Sequence, residues 1–168
     1  MKILVTGEPH TGKSTLLKKL ISNTSNKVGF VTLEIPDSDN PGMRLGFKLI
    51  DHNGREAILA HVNIESDIKV SRYGVDIKTL DEFINPLFEF QTDQLLYIDE
   101  IGQMELYSEK FKLLVEKYIN STNNFIGTIT KNYQDELTEE LKSNKMINIE
   151  EVTINNRDNL FIQLKDKF

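Results

Sequence analysis

Short apolar runs alternate with amphipathic stretches along the 168-residue chain. Ile3-Leu4-Val5, Leu95-Leu96-Tyr97-Ile98, Phe125-Ile126-Gly127-Thr128-Ile129 and Met146-Ile147-Asn148-Ile149 have the length and side-chain content of strands. Between them apolar residues return at helical spacing. Leu16, Leu17, Leu20 and Ile21 mark one face of a helix over 13–21, and the same periodicity predicts helices over 77–90, 108–119, 135–143 and 157–165. Strands that alternate with helices build a mostly parallel sheet covered by helices, so the expected class is α/β.

One segment breaks the alternation. From 27 to 62 the pattern gives three consecutive strands, over 28–35, 45–50 and 56–62, with no helix between them. Asn53-Gly54 predicts a two-residue type I′ hairpin, whose two central residues both need positive φ. An antiparallel β-hairpin insertion is therefore expected within the parallel sheet. Pro36-Asp37-Ser38-Asp39-Asn40-Pro41-Gly42 reads as a mobile loop rather than a linker, because neither flank is long enough to stand alone. With no repeat or low-complexity tract, residues 1–168 are expected to form a single domain.

Composition narrows the function. Twenty Lys and Arg against 26 Asp and Glu leave a net charge of −6, the wrong sign for non-specific binding to nucleic acid or to a membrane surface. The absence of cysteine removes disulfides, zinc–thiolate sites, Fe–S clusters and thiol nucleophiles, and fits a reducing compartment. His10, His52 and His61 lack metal-ligand spacing. The apolar stretch after Met1 is shorter than a signal-peptide core or a membrane span, so a cytoplasmic protein is expected.

The most informative chemistry is Gly7-Glu8-Pro9-His10-Thr11-Gly12-Lys13-Ser14-Thr15, which fits G-x-x-x-x-G-K-[ST] between a predicted strand and a predicted helix. Glycines let such a loop curl its amides toward phosphates, and the helix that follows adds its positive end. Lys13 is placed to reach the β- and γ-phosphates of a nucleotide and Ser14 to ligate Mg²⁺, while His10 reads as a solvent-facing spacer. A second element is the strand ending Ile98-Asp99-Glu100, whose C-terminal end belongs beside the phosphate loop. Asp99 is the candidate to hold Mg²⁺ through water, and Glu100 to orient and deprotonate the water that attacks the γ-phosphate.

Guanine-specific switches carry Asn-Lys-x-Asp, and the nearest match, Asn144-Lys145-Met146-Ile147, lacks the Asp. Hexameric motor ATPases append a helical lid, for which too few residues follow the last predicted strand. A compact stand-alone hydrolase is favoured. Only four arginines, Arg44, Arg55, Arg72 and Arg157, are available to neutralise γ-phosphate charge.

Taken together, these residues resemble a known family, the small P-loop nucleoside-triphosphatases first described from thermophiles and known elsewhere as cancer-related nucleoside-triphosphatases. The likeness runs through the phosphate loop and through Gly29-Phe30-Val31-Thr32-Leu33-Glu34, Gly42-Met43-Arg44-Leu45-Gly46-Phe47, Arg72-Tyr73-Gly74-Val75-Asp76, Asp99-Glu100-Ile101-Gly102-Gln103-Met104-Glu105-Leu106, Gly127-Thr128-Ile129 and Asn156-Arg157-Asp158. Gln103 and Thr130-Lys131 are small departures from it.

The resemblance implies a RecA-like fold and Mg²⁺-dependent release of phosphate from ATP, GTP, CTP and UTP with little base preference. A monomer with no nucleic-acid or membrane partner is expected alongside it, from the acidic charge. By position it implies that Arg44 is an internal arginine at the γ-phosphate, Glu34 an acid near metal or water, and Asn156 and Arg157 part of the wall on the base side. Two other readings share the loop. A nucleoside or nucleotide kinase would need an acceptor pocket and usually an arginine-rich lid, which four arginines make hard to build. A nucleotide-gated binding module would hydrolyse slowly, as a timer.

Overall fold

The computed structural model describes residues 1–167; Phe168, the last residue of the expected domain, lies outside them. Among the described residues the strands are β1 (Lys2–Thr6), β2 (Lys27–Pro36), β3 (Arg44–Asp51), β4 (Glu56–His61), β5 (Lys69–Val70), β6 (Tyr73–Val75), β7 (Leu95–Ile101), β8 (Phe125–Ile129) and β9 (Ile147–Glu151). The α-helices are α1 (Lys13–Ser22), α2 (Ile77–Ile84), α3 (Glu109–Asn120), α4 (Glu136–Ser143) and α5 (Arg157–Leu164). No helix among the described residues is long and apolar enough to cross a membrane.

All the strands join one sheet in the order β5-β6-β4-β3-β2-β7-β8-β1-β9. From β2 to β9 neighbours pair in parallel, and from β2 to β5 they pair antiparallel. The parallel half explains the near-continuous apolar runs, because helices cover it on both sides. Alternate residues of β1 serve opposite layers: Ile3 and Val5 pack with Leu16, Leu17, Leu20, Leu160 and Leu164 of α1 and α5, whereas Leu4 faces the core that Leu80, Phe111, Leu114 and Leu141 build from the other side.

The differences from expectation have local causes. The helix predicted over 77–90 stops at Ile84 and continues as a 3₁₀ turn over Asn85–Phe88, where Pro86 has no N–H to extend an α-helical ladder. The hairpin after β3 is not type I′: Gly54 has φ +81, but Asn53 does not share the positive φ. The Gly54 amide donates to Asp51 O and the Asp51 amide to Arg55 O, which makes a three-residue loop closing on Gly54. The buried Asp51 carboxylate selects that form by accepting from the amides of Asn53 and Arg55 at 2.9 Å. The segment over 36–42 closes as a turn, in which Asp37 accepts from the Asp39 and Asn40 amides and donates its own to Met43 O. Strands β5 and β6, too short for a periodicity to register, complete the antiparallel edge.

Candidate active site

The phosphate loop links the C-terminal end of β1 to α1, beside the ends of β7 and β8, where parallel α/β sheets bind ligands. Two of its glycines are required by geometry. A Cβ at Gly7 would lie 2.4 Å from Val152 O, and Gly12 caps α1 with φ +99. No side chain caps α1, so its first-turn amides stay open to an anion. The Lys13 ammonium curls over the loop, donating to Gly7 O at 3.1 Å and Glu8 O at 3.2 Å, carbonyls that a polyphosphate can replace.

Across the loop, Ser14 Oγ donates to Asp99 Oδ1 at 2.9 Å and Thr128 Oγ1 donates to the same oxygen at 2.6 Å. Asp99 is 1% exposed, and its Oδ2 has no partner. Burial pushes its carboxyl pKa up, against the hydrogen bonds from Thr128 and Ser14 and the charges of Lys18 and Lys13. An orphaned carboxylate oxygen next to a hydroxyl is a hard-oxygen pair that fits Mg²⁺ completed by phosphates and water. Burial likewise raises Glu100; the Lys13 charge opposes this and Asp99 adds to it.

These groups open into a cleft of about 510 Å³ lined by Lys13, Ser14, Glu34, Arg44, Glu100 and Arg157 among others. Pro9, His10 and Thr15 also line it, and His10 is exposed with φ +64. Glu8 and Thr11 do not: the Thr11 hydroxyl turns back to Glu8 O, and the Glu8 carboxylate pairs with Lys131 at 2.9 Å. Asn156 stays outside the lining as well, because its amide accepts from the Thr153 N–H and donates to Glu151 O. Of the base-side pair only Arg157 faces the cleft, against Gly12, where a Cβ would meet its Cδ and Nη1 at 3.4 Å.

Arg44 sits differently from the flexible loop mouth that the sequence suggests. It is the first residue of β3, paired in register with Pro36, and its carbonyl accepts from Arg72 Nη2 and Tyr73 Oη. It ion-pairs with Glu34 and lies 5.5 Å from the Phe47 ring centroid. Both partners are open to solvent, at 40% and 55% side-chain exposure, and such pairs contribute about 0.2–1 kcal/mol, so a phosphate competes for the guanidinium readily. Arg72 is spent on the Arg44 carbonyl, and Arg55 on Asp51 and the Phe83 carbonyl.

Sequence reasoning passed over Thr128, which shares Asp99, and Thr130, Lys131 and Asn132, which follow β8 and line the cleft. The switch-point rule applied to β8 as well as β1 and β7 would have found them. It also passed over Glu105, on the turn after β7, only 4% exposed. Burial first, then the Glu100 charge, pushes the Glu105 carboxyl from 4.5 up to about 8. Between those pH values the folded chain keeps a proton that the unfolded chain releases, so stability falls as pH rises through this window, at up to about 1.4 kcal/mol per pH unit. Glu105→Gln is therefore expected to lose less stability than the parent between pH 5 and pH 8 in urea titrations. Equal losses would contradict this account of Glu105.

Fold and site together define a P-loop nucleotide-binding protein with two acids, Asp99 and Glu100, at the strand end beside the phosphate loop. The comparisons agree. The family described as NTPase matches residues 2–164. Nucleoside-triphosphatase THEP1 of Thermotoga maritima is 40% identical over 166 residues, covering 98% of this chain and 93% of that one. The crystal structure of THEP1 from Aquifex aeolicus superposes with a TM-score of 0.86 at 32% identity, covering 98% of this chain and 96% of that one. The solution structure of a human cancer-related nucleoside triphosphatase gives 0.82 at 27%, over 99% and 96%. The chain belongs to this nucleoside-triphosphatase family.

Proposed function

We propose that the chain hydrolyses nucleoside triphosphates to diphosphate and phosphate with Mg²⁺ as cofactor, reading the base weakly, as a monomer in the cytoplasm. The observation that carries this is the buried cluster of Ser14, Asp99 and Thr128 beside Glu100 at the open end of the phosphate loop.

Ser14 and Asp99 would hold the Mg²⁺, which when bound neutralises phosphate charge. The α1 amides and Lys13 bind the β- and γ-phosphates. Glu100, raised by burial, accepts the proton of a water as its oxygen attacks the γ-phosphorus, and the bond to the β-phosphate oxygen breaks. The Arg44 guanidinium leaves Glu34 for the γ-phosphate oxygens, with Glu34 as its resting partner at the rim. Arg157 offers a planar cation against the nucleoside end with no committed hydrogen-bond pattern, consistent with a weak choice of base.

Glu100→Gln tests the assignment. It should leave Mg²⁺-nucleotide affinity near the parental value and lower kcat by roughly 10²- to 10⁴-fold, the range for losing a general base. Parental kcat would transfer the role to another acid, with Glu34 first in line.

A further inference from the structure

Glu105 has no part in the chemistry above, yet its surroundings are specific. The 3₁₀ turn Glu105–Tyr107 places its carboxyl under the site, where Oε1 accepts from the Thr32 hydroxyl of β2 at 3.1 Å. The other oxygen packs against Gly102, which is buried and has no side chain to separate it from Glu100. A Cβ built on Gly102 would lie 3.0 Å from Glu105 Oε2, 3.3 Å from Glu100 Cγ and 3.5 Å from Glu100 Cδ. The two acids therefore flank the same glycine from two sides, and the charge of Glu100 acts on Glu105. They also line one chamber of about 500 Å³, next to the nucleotide cleft, together with Thr32, Asp99 and Asn132. Among the described residues, no hydrogen bond from a protein group holds the Glu100 carboxylate.

We infer that Glu105 is a positioning residue for hydrolysis: from beneath, it donates the hydrogen bond that fixes the Glu100 carboxylate toward the attacking water. A carboxylate chosen as base needs a donor that orients it without neutralising it. A lysine or arginine at that place would add a full opposite charge and lower its basicity much further than a single neutral O–H does. Burial and the facing charges of Glu100 and Asp99 keep Glu105 in the form that carries this proton. Thr32 points the carboxyl by donating to Oε1, and Oε2, on the Gly102 side, is the oxygen turned toward Glu100. Gly102 belongs to the same device, since a Cβ there would press on both carboxyl side chains.

The inference rests on Glu100 acting as the base, so the test carries Glu100→Gln beside two Glu105 variants. Glu105→Gln keeps a donor and an acceptor at the same length; Glu105→Leu keeps the volume and removes both. Steady-state kinetics with Mg·ATP, equilibrium affinity for Mg·ADP and melting temperature are measured for each. The expected result is that Glu105→Leu loses roughly 10- to 100-fold in kcat, the size seen when outer partners of catalytic groups are removed. Its ADP affinity and melting temperature should hold, and Glu105→Gln should recover most of the rate. Gly102→Ala should lower kcat in the same way with affinity unchanged. Parental kcat in Glu105→Leu overturns the inference, as does an equal loss in the Gln and Leu variants, or a loss matched by weaker ADP binding. If Glu100→Gln itself keeps parental kcat, the base assignment falls and the positioning role falls with it.

Discussion

Arg44→Ala is expected to lower kcat by about 10³- to 10⁵-fold while leaving affinity for the diphosphate product almost unchanged. Arginines that neutralise the γ-phosphate in the transition state have effects of this size. The position suits such a role, because the guanidinium lies at the cleft rim between the exposed Glu34 and the Phe47 ring, while its backbone carbonyl accepts from Arg72 and Tyr73. A fixed strand with a releasable side chain lets the charge arrive without moving the fold. Arg44→Lys should recover only part of the rate, because an ammonium lacks the planar, two-pronged geometry. Among the other arginines only Arg157 lines the cleft, against Gly12 at the start of α1. Single-variant kinetics at 44, 72 and 157 separate them, and parental kcat in Arg44→Ala sinks the assignment.

Lys13→Ala should abolish measurable hydrolysis and weaken nucleotide binding as well, which distinguishes it from Arg44. Its ammonium already lies across the loop on the Gly7 and Glu8 carbonyls, the place where the β- and γ-phosphates would sit. It is half-buried and its ammonium bonds only to carbonyls of its own loop, so the melting temperature should hardly move. Turnover and nucleotide affinity are the readouts. Full activity with normal affinity would remove the phosphate loop from the mechanism.

Much of this was readable in the chain because the signals were local. The phosphate loop, α1 and the apolar run of β7 ending in Asp99-Glu100 each occupy a few consecutive residues, and the neighbouring strand ends follow from parallel topology. What escaped depends on distant partners. Asp51 and Arg55 chose the turn at Asn53-Gly54 through side-chain hydrogen bonds that periodicity does not carry. Asn156 looked available for a ligand until its amide was seen closing its own loop, and Arg44 looked mobile until β6 and its neighbours were found to tether it. Glu105 stood in the string that carries the resemblance but received no role of its own; its burial and its nearness to Glu100 exist only once Thr32 of β2 and Gly102 surround it.

The most direct test of the hydrolase account is phosphate release from ATP, GTP, CTP and UTP with Mg²⁺, run beside an EDTA arm. The account predicts diphosphate and free phosphate from all four, with kcat/KM values within about tenfold, or about 1.4 kcal/mol, and no turnover in EDTA. Undiminished release in EDTA, no release from any of the four, or use of one base by a hundredfold or more would contradict it.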